Sequence, residues 1–542
     1  MVDVASFEVD EPILNSPFQE PAEHWVIEEG KPPERRAGRR PAGYFYRDPG
    51  VPMTGDEFTR GDWVELGLVN LIRQRVAEWR ALGYPGATRT TLEFLEYWRR
   101  DGRKTQLFFP QVEAAETIIF LTEGRSDLRQ GINVPGEENS SSTRLACKMA
   151  TGSGKTMVMG MLAAWSILNK VASRADARFS DVVLVVAPNV TIRNRLRELD
   201  PNEGQAAIYR TRDLVPGHLM PSLRQGRVLI KNWHEFELKG LSAGAKVQKQ
   251  GRPKTFRSVI KIADRTTSGR AGRYMTEQAL ALAVDQGVLR IVKDQRPERA
   301  QVVVEETRYV ESDKRWIERI IGREVGSKGN ILVFNDEAHH AYRIQEPDSP
   351  EMEAYEALDE ELVEEFAHEA TVWVEGLDRI AATRRINFCV DLSATPYYLA
   401  RAGAETNRIF PWVVSDFGLT DAIESGLVKI PQLAVADPTG AERAAYFNIW
   451  RWIMTKLTAR EKGGRKAIVD PEAVLRWANT AIQITGDDWR ETLEDWGVTP
   501  DERRPPVFIL VCKNTKLAKV IYEWLAEGWS SLEVPPSPLI EL

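Results

Sequence analysis

The chain has 542 residues, too many for a single hydrophobic core, and this length predicts about three or four domains. The composition, with 43% hydrophobic and 28% charged residues, is typical of globular proteins, and the net charge of −7 argues only weakly against a nucleic-acid partner. Three well-separated cysteines exclude a disulfide framework, and the lack of both a long apolar run and a signal-peptide layout predicts a cytoplasmic protein with no membrane partner.

We predict that residues 1–100 form an arm followed by two amphipathic helices. Residues 1–58 are rich in Pro, Arg and Glu and lack periodicity, which favours an extended arm. Further along, apolar residues recur every three to four positions, as on one face of a helix. They are Leu68, Val69, Ile72, Val76 and Trp79 in the first helix and Leu92, Leu95 and Trp98 in the second.

Residues 101–430 are predicted to form an α/β domain around a parallel sheet. Short apolar runs alternate with helix-like segments, and runs that are apolar throughout indicate strands covered on both faces. The predicted strands are Arg144–Met149, Asp181–Pro188, Arg227–Lys231, Asn330–Asn335 and Ile386–Leu392, with a helix over Thr156–Asn169.

Residues 238–328 interrupt this alternation with basic and then helical sequence, which indicates an insertion. Between Lys246 and Arg273 nine basic residues accompany a single acid, whereas residues 346–375 contain many carboxylates and no Lys or Arg. Because binding to nucleic acid needs only a local basic surface, the basic run is a candidate phosphate track, with a solvated loop as the alternative. The candidate contacts are Lys246, Lys249, Arg252, Lys254 and Arg257.

A domain boundary is predicted at Gly426–Pro431, and residues 431–542 form a further segment. Its predicted elements are a helix with Tyr446, Ile449, Trp450, Ile453 and Leu457 on one face, a strand Val507–Cys512, and a helix Lys516–Ala526.

A glycine-rich loop between the first predicted strand and its helix, Met149-Ala-Thr-Gly-Ser-Gly-Lys-Thr156, is the strongest local signal. Gly152 and Gly154 allow positive φ, so backbone N–H groups can approach phosphates, and the helix N-terminus adds its positive end. Lys155 is expected to reach the β- and γ-phosphates of ATP, and the Thr156 hydroxyl to bind Mg²⁺. The alternative is a glycine turn with an incidental lysine. The predicted nucleotide-binding residues of the loop are Thr151, Gly152, Ser153, Gly154, Lys155 and Thr156.

Two adjacent carboxylates, Asp336 and Glu337, follow a predicted strand. Buried charges need a partner or a metal, and at the carboxyl edge of a parallel sheet they face the crevice where ligands bind. Asp336 is placed to hold Mg²⁺ through water, and Glu337 to orient and deprotonate the attacking water; with Lys155 they are the predicted catalytic residues. A third element, Ser393-Ala394-Thr395, also follows a strand, and alone it would be a plain turn before Pro396.

Together, MATGSGKT at 149–156, DEAH at 336–339 and SAT at 393–395 resemble motifs I, II and III of the superfamily 2 DEAD/DEAH-type helicases. Phe109-Pro110-Gln111 is similar to the glutamine element that recognises adenine, and Pro188-Asn189 to motif Ia, which contacts the nucleic-acid backbone. The resemblance implies a RecA-like P-loop domain that binds ATP and Mg²⁺. It also implies coupling of ATP to nucleic acid through His339, Ser393 and Thr395.

Wider segments resemble the motor (Res) subunit of type III restriction enzymes, and the resemblance covers nearly the whole chain. They are NDEAHHAYR, DLSATPYYL, FGLTDAIESGLVKIP and PPVFILVCKNTKLAKVIYEWL, while NSPFQEPAEHW and RRPAGYF resemble restriction-associated members. The segment Asn232-Trp233-His234 is similar to one between motifs Ia and II of this group, which makes Asn232 a candidate nucleic-acid contact. Double-stranded DNA and a DNA methyltransferase (Mod-like) subunit are the implied partners.

Two parts of the family pattern are not found. Nothing matches motif V or the arginine-bearing motif VI of the second lobe, and no Pro-Asp with a downstream Glu-x-Lys marks a nuclease core. We therefore expect residues 431–542 to be the start of an incomplete second RecA-like lobe. The chain is then an N-terminal portion of a Res-like protein, and it needs a chain carrying the missing C-terminal half for fast hydrolysis.

The resemblance favours an ATP-dependent DNA translocase or helicase subunit of a type III-like restriction or phage-defence system. Two alternatives stay open. One is a stand-alone DNA or RNA helicase, and the other is a module that binds ATP and DNA but depends on a partner chain for turnover.

Overall fold

The chain divides into two compact units, the first made of residues 1–257 and 305–430 and the second of residues 258–304 and 431–542. The computed structural model describes residues 9, 11–28, 31–46, 61–137, 140, 142–240, 251–263, 267–269, 272–294, 296, 300–322, 325, 330–344, 360–398, 406–429, 449–462, 469–498, 505–528 and 534.

The described residues contain strands and helices in alternation. The strands are β1 (Glu23–Val26), β2 (Glu34–Ala37), β3 (Gly43–Tyr46), β4 (Asp62–Glu65), β5 (Arg144–Met149), β6 (Val182–Ala187), β7 (Arg227–Asn232), β8 (Gly251–Ile262), β9 (Thr267–Gly269), β10 (Gly272–Met275), β11 (Leu289–Asp294), β12 (Gln301–Glu311), β13 (Ile331–Asp336), β14 (Ile386–Ser393) and β15 (Val413–Phe417). The helices are α1 (Gly67–Ala81), α2 (Arg89–Arg99), α3 (Phe109–Glu123), α4 (Lys155–Ala172), α5 (Val190–Arg195), α6 (Ile208–Thr211), α7 (Met220–Leu223), α8 (Glu277–Asp285), α9 (Asp313–Ile320), α10 (Glu360–Arg384), α11 (Leu419–Glu424), α12 (Ile449–Lys456), α13 (Pro471–Val498) and α14 (Thr515–Ala526).

A six-stranded, all-parallel sheet with the order β15-β5-β14-β13-β6-β7 forms the centre of the first unit. The predicted α/β class with a parallel sheet is confirmed, and the five predicted strands match β5, β6, β7, β13 and β14 to within one residue at each end. Strand β15 was not predicted because Ser415 and Asp416 interrupt its apolar run. In the fold Asp416 is buried, and its Oδ1 lies 3.0 Å from Nζ of Lys148.

Both faces of this sheet are buried, as the uninterrupted apolar runs predict. Successive side chains of a strand point to opposite faces. In β6, Val183 and Val185 therefore pack with the helices α2, α3 and α4, including Trp165. The side chain of Leu184 faces the other way and packs with α9 and α10, including Trp373. The result is a three-layer arrangement whose strand ends, rather than strand faces, are available for ligands.

The N-terminal residues pack as part of the first unit. The two predicted amphipathic helices are confirmed as α1 and α2, which bury Trp79 and Trp98. Ahead of α1, the described part of the predicted arm contains two antiparallel strand pairs, β1 with β2 and β3 with β4. The arm thus obtains its backbone hydrogen bonds from short strand pairs, which its Pro- and Arg-rich composition did not indicate.

The insertion contains a five-stranded sheet with the order β11-β12-β8-β10-β9. Sequence analysis predicted basic and then helical sequence here; α8 and α9 are helical, but the strands were missed. The reason is that strand β8 carries many charged residues, so its apolar alternation is weak. Ile260 of β8 nevertheless packs with Val302 and Val304 of β12 in a small core of its own.

The described residues of 431–542 include three helices that share one hydrophobic core. Helices α12, α13 and α14 bury Ile453, Leu475 and Trp524. The predicted helices correspond to α12 and α14, although Tyr446 of the first one lies outside the described residues. The 28-residue α13 was not predicted. None of the described helices is long and apolar enough to cross a membrane.

The prediction of a strand over Val507–Cys512 is wrong. This segment has no regular structure, and Val507, Ile509 and Val511 are 75%, 74% and 92% exposed. A strand is stable only when its N–H and C=O groups pair with a neighbouring strand, and none of the described strands pairs with it. The described residues of 431–542 contain no strand, so the predicted start of a second parallel sheet is not observed among them.

Candidate nucleotide-binding site

The sequence elements singled out as site residues meet at the carboxyl edge of the six-stranded sheet. Met149, the last residue of β5, pairs with Phe417, and Asp336, the last residue of β13, pairs with Leu392. The same edge contains the end of β6, where Ala187 pairs with the last residue of β7. Because all strands are parallel, the loops that follow them lie side by side at one edge, where ligands bind in open α/β sheets.

The glycine-rich loop connects β5 to α4 at this edge. Gly152 and Gly154 have φ values of +86° and +97°, which L-residues with a side chain adopt only under strain. Helix α4 begins immediately afterwards at Lys155. Ser153 is buried, and its hydroxyl donates to the carbonyl of Ala150 at 2.7 Å, which fixes the turn. The N-terminus of an 18-residue helix is thus presented next to two glycines, as a phosphate-binding loop requires.

Gln111, at the start of α3, contacts the same loop. Its side-chain nitrogen donates to the carbonyl of Ser153 at 3.1 Å, and its side-chain oxygen accepts from the backbone N–H of Phe108 at 3.1 Å. An added Cβ at Gly154 would lie 2.1 Å from Nε2 of Gln111, so the end of the glutamine side chain would have to move away from the loop. Glycine is therefore favoured here by its backbone angle, and a side chain at this position would also displace Gln111.

Lys155 and Glu337 form the central ion pair of the site. Nζ of Lys155 lies 2.9 Å from Oε1 of Glu337, and the two side chains are 12% and 27% exposed. Glu337 directly follows β13 and has a left-handed backbone with φ +51° and ψ +51°, an unusual conformation for glutamate. This sharp turn brings the carboxylate back toward the glycine-rich loop, across the strand β14 that separates β5 from β13.

Asp336 is the buried carboxylate of the site. Burial, together with the neighbouring charge of Glu337, raises the pKa of Asp336 to about 6. A carboxylate in this state lacks sufficient positive charge around it, which is the condition that a divalent cation would relieve. Among the described residues no group of three or more His, Cys, Asp or Glu side chains could hold a metal ion. Mg²⁺ needs fewer protein ligands, because it keeps several waters and binds through one or two carboxylates plus phosphates.

His339 and Ser393 connect the end of β13 to the end of β14. Nδ1 of His339 lies 2.8 Å from the hydroxyl oxygen of Ser393, which also accepts from the backbone N–H of Thr395 at 3.0 Å. Burial and the adjacent His340 lower the pKa of His339 to about 4, so its imidazole is neutral at pH 7. The structure therefore brings together the three residues predicted to couple the site to a second ligand.

A buried polar network beneath the site was missed by sequence analysis. Asp391 in β14 accepts from Nε of Arg144 at 2.8 Å, from the side chain of Asn335 at 2.7 Å and from Nε1 of Trp412 at 2.8 Å. Nε1 of Trp373 in turn donates to Asn335 at 3.0 Å. These contacts connect β5, β14 and β13 inside the sheet, from the first residue of β5 to the second-to-last residue of β13. The available signal was the one aspartate inside the otherwise apolar run FCVDL at 388–392.

The N-terminal segment also supports the site through contacts that sequence analysis did not predict. Nη2 of Arg39 lies 2.8 Å from Oε2 of Glu113 in α3, and its guanidinium lies 5.0 Å from the ring centre of Phe109. The backbone N–H of Phe109 donates to the carbonyl of Pro17 at 2.8 Å. Arg39 and Pro17 therefore hold the start of α3, and with it Gln111, from the outside.

The candidate nucleic-acid residues after β6 and β7 have capping roles in the structure. Pro188 follows β6, and the exposed Asn189 accepts the N–H of Ile192 at 2.9 Å, which caps α5. Asn232 is only 2% exposed, and its side-chain oxygen accepts the N–H of His234 at 2.9 Å. Asn232 thus caps the turn after β7 in this structure, and its contact with nucleic acid stays a prediction.

The basic candidates of the insertion are only partly described. Lys246 and Lys249 lie outside the described residues, as does the side chain of Arg257. Nη2 of Arg252 lies 3.0 Å from Oδ1 of Asp313, and Nζ of Lys254 lies 3.1 Å from Oε2 of Glu375. These two cations are therefore paired within the chain and are not brought to the glycine-rich loop.

Comparisons with family models, curated proteins and solved structures find no match to this chain.

Proposed function

We propose that the protein is a cytoplasmic, ATP-dependent nucleic-acid motor, a DNA translocase or helicase subunit of a type III-like restriction or phage-defence system. In this proposal the first unit is a RecA-like P-loop domain that binds and hydrolyses ATP. The observation that carries it is the 2.9 Å pair between Lys155 and Glu337, because it joins the glycine-rich loop to the carboxylates after β13 in one site.

The glycine-rich loop supplies the phosphate-binding part. Backbone N–H groups around Gly152 and Gly154 and the N-terminus of α4 provide fixed partial positive charge, and Lys155 provides a mobile full charge for the β- and γ-phosphates. Gln111 is packed on the same loop and is the residue proposed to recognise adenine. Entry of the triphosphate draws Lys155 toward the phosphates and releases Glu337 from its ion pair.

Asp336 and Thr156 are the residues that would hold Mg²⁺. The raised pKa of the buried Asp336 supports this assignment, because a cation beside it would restore the ionised form. When bound, Mg²⁺ would neutralise charge on the β- and γ-phosphate oxygens.

Glu337 is proposed to orient the attacking water and accept its proton. Such a base is effective only when its carboxylate is free, since a carboxylate paired with lysine is a weaker proton acceptor. The neutral His339, hydrogen-bonded to Ser393, provides a path from the hydrolytic carboxylates to the loop after β14, which is the route proposed for coupling to nucleic acid.

Double-stranded DNA is the proposed partner, and this part of the proposal depends on the resemblance of the motifs to type III motor subunits. The exposed Asn189 after β6 and the cations Arg252 and Lys254 in the insertion are the candidate backbone contacts among the described residues. Phosphate contacts of this kind give affinity without sequence recognition.

Calorimetric titration with Mg-ATP tests the nucleotide site directly. We expect micromolar-to-millimolar affinity for the unaltered chain and a loss of at least about 30-fold in Lys155→Ala, because the phosphates lose their mobile cation. Lys170→Ala is the matched control, since Lys170 lies in the last turn of the same helix and donates to the carbonyl of Asp176 at 2.7 Å. Equal affinity in Lys155→Ala and the unaltered chain would exclude the assignment of the loop.

Fluorescence anisotropy with a labelled DNA duplex tests the partner separately. We expect binding that weakens as salt rises and that changes on addition of Mg-ATP in the unaltered chain but not in Lys155→Ala. Nucleotide binding without any DNA binding would leave an ATPase site and exclude the motor.

A further inference from the structure

A cavity lies at the amino edge of the six-stranded sheet. It has a volume of about 350 Å³ and is lined by the end of α3, the segment that follows α3, and residues at the start of β5 and β14. Its apolar lining residues include Leu145, Phe388, Ile132 and Val134. Its volume lies at the lower end of the range of small-molecule sites, which is roughly 300–1,000 Å³.

This cavity is separate from the nucleotide site. Leu145 is the second residue of β5, and the glycine-rich loop begins after Met149, so the length of the strand lies between them. Four residues of strand correspond to about 13 Å. A ligand in the cavity would therefore contact neither Lys155 nor the carboxylates after β13.

The charges around the cavity are positive. The polar residues among its described lining are Arg129, Arg178, Thr122, Thr143 and Asn387, and none of these is a carboxylate. Nη1 of Arg129 donates to the carbonyl of Leu121 at 2.9 Å, and none of the described carboxylates forms an ion pair with its guanidinium. Arg178 is partly neutralised by Asp176 at 2.7 Å. Arg129 is thus the lining cation that no described carboxylate neutralises.

We propose that this cavity binds a small organic anion with an apolar, ring-sized body. Leu145, Phe388, Ile132 and Val134 would bury the body, and Arg129 would hold the anionic group, with Arg178 adding a weaker second charge. A charge-assisted hydrogen bond from a guanidinium to an anionic oxygen is stronger than one between neutral groups. A cationic ligand is disfavoured because none of the lining residues that the structure describes is a carboxylate. The proposal does not depend on the nucleotide site or on the motor.

The test uses two probes that differ by one charge. They are 8-anilinonaphthalene-1-sulfonate and its uncharged counterpart N-phenyl-1-naphthylamine, both titrated by fluorescence against the full chain. We expect saturable binding of both at one site, with the sulfonate bound more tightly. Arg129→Met should weaken the sulfonate at least about 10-fold and change the neutral probe less than about 2-fold. Val134→Trp, which fills the cavity, should weaken both probes.

Arg125→Met is the matched control. Arg125 lies four residues before Arg129, is exposed, and pairs with Asp127 without lining the cavity. Its sulfonate affinity should equal that of the unaltered chain, and thermal unfolding of each variant shows whether the fold is retained. Non-saturable fluorescence would overturn the proposal. So would a sulfonate affinity in Arg129→Met, or in Val134→Trp, that equals the affinity of the unaltered chain. If Arg129→Met unfolds, Arg129→Lys takes its place, because lysine keeps the positive charge. This variant should still bind the sulfonate, and loss of sulfonate binding in a folded Arg129→Lys chain would also contradict the proposal.

Discussion

Two lysines of the first unit, Lys155 and Lys254, are each paired with a glutamate, yet their surroundings differ. Nζ of Lys155 lies 2.9 Å from Glu337 and Nζ of Lys254 lies 3.1 Å from Glu375, so the pairs are nearly equal in length. Lys155 follows a loop with two left-handed glycines and opens α4, whereas Lys254 lies within the strand β8. A lysine with a carboxylate partner occurs in both places, so the feature that singles out Lys155 for the proposed phosphate site is the backbone around it.

The same contrast applies to burial. The side chains of Lys155 and Glu337 are 12% and 27% exposed, whereas those of Lys254 and Glu375 are 29% and 47% exposed. Exposed ion pairs are worth about 0–1 kcal/mol and are screened by salt. We therefore expect the ion pair between Lys254 and Glu375 to open easily, for a phosphate or for water. The pair between Lys155 and Glu337 should open mainly when a bound ligand offers new partners to both side chains.

The largest expected difference between the Lys155–Glu337 pair and the Lys254–Glu375 pair is in the rate of ATP hydrolysis. Glu337→Gln should reduce the steady-state rate of phosphate release from Mg-ATP by about 10²–10⁴-fold, because the water loses its proton acceptor. Its affinity for ATP should stay the same or rise, since Lys155 loses its competing carboxylate. Glu375→Gln, which removes the partner of Lys254, should leave the rate unchanged. Equal rates in both variants would contradict the role of Glu337.

The pH dependence of the free energy of unfolding should report on the buried carboxyl group of Asp336. Because the folded state raises the pKa of Asp336 to about 6, it binds this proton more tightly than the unfolded state. The stability of the nucleotide-free chain should therefore fall as pH rises from about 4 through about 6, by up to ~3 kcal/mol. Asp336→Asn should remove that part of the dependence, as followed by thermal unfolding at several pH values. Asp313→Asn, at the exposed partner of Arg252, is the control.

Two glycine substitutions test whether the backbone makes the nucleotide site. Gly154→Ala should weaken Mg-ATP binding and lower stability by about 1–3 kcal/mol, because the added Cβ meets Gln111 at 2.1 Å and φ is +97°. Gly152→Ala has a φ of +86° but no atom within 4 Å of the added Cβ, so only the backbone strain applies. We expect the smaller loss of stability there. The reverse order would show that the contact with Gln111 does not constrain the loop.

The smallest effect is expected in the insertion. Replacing both Arg252 and Lys254 with alanine should change the free energy of unfolding by less than about 1 kcal/mol per pair. If both cations contact DNA phosphates, the log–log slope of DNA affinity against salt should flatten by about 0.9 per lost contact. Lys104→Ala combined with Arg125→Ala removes two exposed charges elsewhere as the control. An unchanged slope in the Arg252 and Lys254 variant would identify its cations as solvated strand charges.

The parallel sheet could be predicted from sequence because its strands are short, apolar and buried on both faces. Val182–Ala187 contains no polar residue, and its bounds were predicted to within one residue. The insertion was harder, because in Gly251–Ile262 charged residues occupy much of the strand and leave little apolar alternation. Val507–Cys512 failed for the opposite reason, since its apolar alternation indicated a strand, whereas a strand also needs a pairing neighbour that local sequence does not specify.

For the candidate site, the positions of single residues in the fold could be predicted from the sequence, but most of their contacts could not. The position of Gly154 and Lys155 between β5 and α4 could be predicted, because a glycine-rich segment between an apolar run and a helical pattern indicates a tight turn that starts a helix. The contact between Lys155 and Glu337 could not be predicted, because the two residues are far apart in sequence. They are close only because β5 and β13 lie on either side of β14 in the sheet. The burial of Asn232 was also hidden, since the same amide can cap a turn or face a ligand.

The backbone of Glu337 has a consequence for how the protein tolerates change. A glutamate in the left-handed region costs roughly 1–2 kcal/mol relative to a residue that adopts it freely, and glycine or asparagine would suit the turn better. Glu337→Gly and Glu337→Asn are therefore expected to be at least as resistant to heat as the unaltered chain while being inactive in hydrolysis. A screen that selects only for thermal stability would tend to remove this side chain, so the position marks where robustness and activity oppose each other.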